Sequence, residues 1–190
     1  MSQDAFESIV RGCIRGDAKS QELLYKKLYG VMMGVCLRYT KDRDQAQDIL
    51  QEGFIKVFGK IEHYNFEGSF EGWVRRIMVN TAIDFFRKKR TDFTLMGENE
   101  HIENVADVPD QEDGNDQPEY DFKPEHIIQA MQQLTPAYRT IFNLYVYENH
   151  THIEIAEKLG ISVGTSKSNF AKAKRNLKKI LINDLKYRNE

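Results

Sequence analysis

A chain of 190 residues, 41% hydrophobic and 29% charged, has room for one or two small globular units and excludes a large enzyme core. No run approaches the roughly 18 apolar residues a membrane helix needs, and the N-terminus lacks a signal-peptide pattern, so the expectation is a cytoplasmic protein without membrane insertion. The formal net charge of −2 conceals an asymmetry: residues 1–95 carry 16 Lys and Arg against 13 Asp and Glu, residues 96–125 carry 1 against 11, and residues 126–190 carry 10 against 5.

The N-terminal block reads as four amphipathic helices. Phe6, Ile9, Val10, Cys13 and Ile14 mark the first, stopped near Gly16. Leu24, Leu28, Val31, Val35 and Tyr39 mark the second, with Gly30 or Gly34 as a place to bend. Asp42, with Gln45 three residues on, caps a third that carries Ala46, Ile49, Leu50, Phe54, Val57, Phe58 and Ile61. Its polar face is acidic, with Asp44, Asp48, Gln51 and Glu52, which suits either a protein-docking face or a solvated surface. Cys13 and Cys36 sit far apart within apolar helical patterns and read as core thiols in a reducing compartment.

A loop with His63, Tyr64, Asn65, Phe66, Glu67 and Gly68 leads into a fourth helix, from about Ser69 to Lys89. One face of that helix holds Phe70, Trp73, Val74, Ile77, Thr81 and Phe85; the other holds Arg76, Asn80, Asp84, Arg87 and Lys88. Aromatics beside cations can hold unstacked bases, because a ring offers a sequence-tolerant π-face while Lys and Arg follow phosphates. Equally, Tyr64 and Phe66 can pack the loop onto the core. From Leu95 to Lys123 the chain is acidic, rich in Asn, Gln, Pro and Gly, and without apolar periodicity, so a flexible spacer between two helical domains is expected.

The segment from Thr135 to Leu181 spells out a helix-turn-helix. Thr135-Pro136 begins one helix, with a capping hydroxyl before a ring whose φ suits the first turn. Thr151 and Glu154 form a capping box for a short helix with Ile153, Ile155, Ala156 and Leu159. Gly160 supplies a left-handed stop, and Ser162 caps the next helix. Two helices joined by a Gly-Ile-Ser turn can set the second in a DNA major groove. That helix carries Thr165, Ser166, Lys167, Ser168, Asn169, Lys172, Lys174 and Arg175, whose side chains suit base edges and phosphates. No glycine-rich phosphate loop, metal-ligand spacing or cysteine cluster is present, so neither catalysis, cofactor nor metal is expected. His150 and His152 flank Thr151 without sharing a helix face.

Together these segments resemble the extracytoplasmic-function (ECF, group IV) sigma factors, promoter-specificity subunits of bacterial RNA polymerase. Asp42 to Phe58, D-R-D-Q-A-Q-D-I-L-Q-E-G-F-I-K-V-F, is similar to the family's region 2 helix that docks on the polymerase clamp. Phe66 to Arg90, F-E-G-S-F-E-G-W-V-R-R-I-M-V-N-T-A-I-D-F-F-R-K-K-R, is similar to the promoter −10 reader. Leu134 to Leu181, with L-T-P and H-I-E-I-A-E-K-L-G-I-S-V-G-T-S-K-S, is similar to region 4, the −35 reader.

The resemblance implies an all-α protein of two small helical domains: region 2 over residues 1–94, an acidic linker over 95–123, and region 4 over 124–190. It implies core RNA polymerase, promoter DNA and an anti-sigma factor as partners. Asp48, Gln51 and Glu52 match the polymerase-docking positions. Tyr64 and Phe66 fall in the loop that receives an extruded −10 base, and Arg76, Asn80, Arg87 and Lys88 match the helix beside the opening strand. Thr165, Ser166, Lys167, Ser168, Asn169 and Lys172 match the helix lying in the −35 groove. The acidic spacer falls where family members run a linker through positively lined polymerase channels. Three departures stand out: Ser166 replaces a usually buried aliphatic residue, Asn169 replaces an Arg, and Gly53 replaces a larger residue.

Overall fold

The computed structural model describes residues 3–95 and 122–188, which form eight α-helices, one 3-10 turn and no strand. In chain order these are α1 (Gln3–Ile14), α2 (Ala18–Tyr39), α3 (Arg43–Lys60), the 3-10 turn Ile61–His63, α4 (Phe70–Leu95), α5 (Pro124–Gln133), α6 (Pro136–Val146), α7 (His152–Leu159) and α8 (Val163–Arg188). The expected all-α class is what the chain adopts. The expected acidic linker lies outside the described residues except at its ends.

Local chemistry fixes where the first helices begin. Asp17 accepts the Ser20 amide at 2.9 Å, and Asp42 accepts the Gln45 amide at 2.9 Å while Gln45 Nε2 donates back at 3.0 Å. Each side chain satisfies an amide that a helix start leaves without a partner. The short breaks at these caps fold α1, α2 and α3 into neighbours, and α4 packs on both α2 and α3.

Leu24, Leu28, Met32, Val35, Cys36 and Tyr39 of α2 form the centre of the core with Ile49, Leu50, Phe54 and Val57 of α3. Each such side chain contributes roughly 1.5–3 kcal/mol by leaving water. Val31, expected on this stripe, is 45% exposed, and Met32 and Met33 take its place. Steps of four from Leu24 through Leu28 lead to Met32 and leave Val31 on the rim. On α4 the buried row is Phe70, Val74, Met78 and Ala82, joined by Val79 and Ile83, while Trp73, Ile77 and Phe85 are only partly buried. Contact with two helices at once explains why this buried face is wider than expected.

Gly53 faces this core, where an added Cβ would lie 2.2 Å from Met78 Sδ. Met78 thus fills the space a larger residue would take, and Gly53 is buried away from the surface of α3. Burial pushes the free Cys13 thiol up to about 11 and the Cys36 thiol up to about 12.

Helices α5, α6 and α8 share a smaller cluster of Ala130, Met131, Leu134, Tyr138, Ala173 and Leu177. Ile141, Leu144 and Ile155 instead join the larger core, so the two halves of the chain pack together. The junction is the C-terminus of α2, whose last four carbonyls have no partner within the helix. Thr40 Oγ1 donates to Cys36 O at 3.1 Å, Gln132 Nε2 to Leu37 O at 3.4 Å, Asn143 Nδ2 to Arg38 O at 2.6 Å, and Arg139 Nη1 to Tyr39 O at 3.3 Å. Three of those four donors come from α5 and α6.

Arg139 is the hub of this junction. It is 2% exposed, and its guanidinium also donates to the carbonyls of Met131, Gln132 and Leu134 at 3.0, 2.8 and 2.7 Å. Burial lowers its pKa to about 10, so it remains charged at neutral pH among carbonyl dipoles. Beside it, Glu148 lies 3.6 Å from Arg38 and 3.9 Å from Arg75, and Arg38 stacks over the Tyr147 ring at 4.5 Å.

Candidate nucleic-acid interface

The helix-turn-helix is built from local hydrogen bonds. The Thr151 amide donates to Glu154 Oε2 at 2.7 Å, and the Glu154 amide donates to Thr151 Oγ1 at 3.3 Å. The donation from the Thr151 amide, followed by that from its hydroxyl, holds the Glu154 carboxyl below the usual glutamate range. Gly160 adopts φ +65°, a left-handed conformation costly to a residue with a Cβ, and lets the Ile161 amide return to Ala156 O. Ser162 Oγ accepts the Thr165 amide at 2.9 Å and starts α8. The turn between the two helices is thus closed by caps on both sides.

Along α8, Thr165, Lys167, Ser168, Lys174 and Arg175 are exposed, and Asn169 and Lys172 are half-buried. Ser166 corrects the expectation for this helix: it is fully buried, with Oγ 2.9 Å from His152 Nδ1. A side chain turned into the α7–α8 contact cannot reach a groove. The space left by the missing aliphatic residue is filled by rings. Phe170 lies 4.4 Å from Tyr145 and 5.7 Å from His152, and Tyr145 stacks on His152 at 4.6 Å.

Tyr64 and Phe66 differ in their surroundings. Tyr64 is buried, its hydroxyl donates to Gly68 O at 3.0 Å, and its ring lies 4.9 Å from Phe70 and 5.6 Å from Trp73. It packs the loop onto the core and has no face to offer a base. Phe66 is half-buried at φ +62°, with one neighbour in Tyr64 at 5.2 Å and another in the Arg11 guanidinium at 4.3 Å. Behind the loop, Arg76, Asn80, Asp84, Arg87 and Lys88 form the exposed face of α4. Lys56, Lys60, Arg87 and Lys158 surround a depression beside Asn80, tempered by Asp84, which lies 3.9 Å from both Lys56 and Arg87.

Asp48, Gln51 and Glu52 are exposed together on α3. At the next turn of the same face stands Ile55, which is 73% exposed and which the sequence did not single out. Its signal was available, since an aliphatic residue out of phase with Ile49, Leu50, Phe54 and Val57 must point to solvent. Lys158 Nζ of α7 donates to Asn80 Oδ1 of α4 at 3.2 Å, so the C-terminal half reaches the polar face of α4 through α7. No group of three or more potential metal ligands occurs among the described residues, and none of their helices is long and apolar enough to cross a membrane.

Residues 24–91 match the family model for sigma-70 region 2, and residues 125–177 match that for sigma-70 region 4. The chain is 31% identical to the ECF RNA polymerase sigma factor SigW of Bacillus subtilis, over 94% of this chain and 90% of that protein. It is 27% identical to the RNA polymerase sigma-H factor of Pseudomonas aeruginosa, over 95% and 96% of the two chains. Among solved structures, the sigma factor RpoE in complex with the anti-sigma factor NepR from Bartonella quintana covers 86% of this chain and 98% of its own, with a TM-score of 0.48 and 19% identity.

Proposed function

The chain belongs to the ECF branch of the sigma-70 family, and from that premise we propose how its surfaces divide the work of promoter recognition among named residues. It is a promoter-recognising factor for transcription initiation, and no covalent chemistry is assigned to it. Residues 1–94 act as region 2, residues 95–123 as the linker and residues 124–190 as region 4. The protein works in the cytoplasm, bound to core RNA polymerase and promoter DNA, and an anti-sigma factor is the further partner the family implies.

Asp48, Gln51 and Glu52 dock on the polymerase with Ile55 as an apolar anchor, since a desolvated hydrophobic residue ringed by polar ones is how protein interfaces concentrate energy. Phe66, Arg76, Asn80, Arg87 and Lys88 meet the −10 strand, with Tyr64 beneath them as a support. Thr165, Lys167, Ser168, Asn169 and Lys172 meet the −35 groove, and Ser166 is removed from that set. A single observation carries the reading: one chain presents two separate cationic helical surfaces and, on another helix, an acidic face with an exposed aliphatic residue.

Each DNA reader is small and binds weakly by itself. Holding both on one polymerase turns the second contact into an intramolecular event, worth about 10²–10⁴-fold in affinity. The test is in vitro transcription from a genomic library with bacterial core polymerase. Discrete start sites that require this chain are expected, and the absence of any association with core polymerase at any salt concentration would refute the assignment.

A further inference from the structure

We propose that Arg11 of α1 is a positioning residue for the −10 loop, holding the Phe66 ring in the orientation that receives an extruded base. The inference rests on the −10 reading of that loop given above. Residue 11 lies before the stretch that matches region 2, which begins at residue 24. Helix α1 thus adds a part to the promoter-reading surface.

The loop needs such a part. Phe66 adopts φ +62°, a left-handed conformation that an aromatic residue rarely takes and that surrounding contacts must hold. On one side the ring meets Tyr64, itself pinned by Gly68, Phe70 and Trp73. On another it meets the Arg11 guanidinium, 4.3 Å from the ring centroid. Arg11 is in turn oriented by Glu7, one turn back on α1, which accepts from its Nε at 3.0 Å. Phe6 seats α1 against the same aromatic group, edge-on to Phe70 at 5.7 Å.

A guanidinium suits this position for two reasons. Its flat cationic face stacks on a ring, and its edge donors stay free to bind a carboxylate in the same geometry. A lysine ammonium would keep the charge while losing the flat face. Removing the side chain would free Phe66 to leave its strained conformation. The loop would then grip the correct base and an incorrect base more nearly equally.

The experiment uses full-length Arg11→Ala, Arg11→Lys and Phe66→Ala variants assembled with core polymerase. The promoter is one selected from a random library by the unaltered chain, and opening is read by 2-aminopurine at the −10 positions. For Arg11→Ala, the ratio of opening on the matched promoter to opening on −10 mismatches should fall roughly two- to fivefold. Thermal midpoint and polymerase affinity should not change, and Arg11→Lys should recover part of the ratio. An unchanged ratio in Arg11→Ala beside a reduced one in Phe66→Ala overturns the role of Arg11 alone. An unchanged ratio in Phe66→Ala overturns the −10 reading of the loop and this proposal with it. A fall that comes only with a matching loss of thermal midpoint and polymerase affinity marks Arg11 as structural, and also overturns the proposal.

Discussion

Lys158 of the helix-turn-helix donates to the side-chain carbonyl of Asn80 at 3.2 Å, joining the helix assigned to the −35 unit with the one assigned to the −10 strand. While that contact stands, part of the polar face of α4 is engaged by the chain's own C-terminal half. The contact is solvent-exposed and adds little stability. Under the −10 role proposed for α4, the surfaces it joins are those that must part before DNA can lie along that helix.

Asn80→Ala should impair promoter opening more than initial promoter binding in the assembled polymerase, because Asn80 belongs to the face proposed to meet the −10 strand. Permanganate reactivity of −10 thymines is expected to fall while the closed-complex footprint persists. Equal losses in both assays would remove Asn80 from the opening step.

The junction at α2 is more deeply built. Arg139→Met keeps the volume but removes every donor of the guanidinium, leaving the carbonyls of Tyr39, Met131, Gln132 and Leu134 without it. We expect a loss on the order of 3 kcal/mol in urea unfolding, with an increased radius of gyration as α5 and α6 leave α2. A variant as compact and as stable as the parent chain would show that the guanidinium does not hold the junction.

Docking on the polymerase should be lost in Asp48→Arg, with circular dichroism and thermal midpoint unchanged because the residue is exposed. Ile55→Ala should weaken the same association by about tenfold, as expected when an anchoring aliphatic side chain is truncated. Co-purification with core enzyme measures both. Full retention of binding in Ile55→Ala would assign the face to solvent.

Within α8, two substitutions six residues apart should have different consequences. Lys172→Ala should weaken −35 binding across all sequences and make the salt dependence shallower by about one unit, as loss of a phosphate contact does. Ser166→Ala breaks the contact with His152 and should cost roughly 1 kcal/mol of stability, leaving −35 base preference as it was. Altered base preference in Ser166→Ala would contradict its burial.

The two thiols should make stability fall as pH rises through the alkaline range. Burial raises both values above 9.0, so the folded chain keeps protons that the unfolded chain releases. Their contribution is complete below pH 9 and declines as pH rises toward about 11 for Cys13 and about 12 for Cys36. A Cys13→Ala/Cys36→Ala chain should lose less stability between pH 9 and 11 than the parent, as read by urea midpoints. Parallel curves would refute the linkage.

What could be read from the residues in advance was whatever nearest neighbours determine. The Asp42 cap, the Thr151–Glu154 box and the Gly160 stop depend on atoms a few positions apart, and all three form as expected. The burial of Met32 in place of Val31, and of Met78 along with Val74, depends on which helices lie on either side. Ser166 could be seen to break an aliphatic pattern, but its His152 partner is fourteen residues away. Arg139 is the extreme case, since a lone arginine in an amphipathic helix reads as a surface residue. Its Tyr39 partner is one hundred positions earlier in the chain.

The end of α2 makes that helix a ruler. Inserting or deleting one residue along it would turn the final carbonyls by about 100° and shift them by about 1.5 Å. Gln132, Asn143 and Arg139 sit on other helices and could not follow, so all three would lose register at once. The span between Asp17 and Thr40 is therefore a shared dimension of both halves, and changes of length are absorbed more easily in the joints between helices than in this shaft.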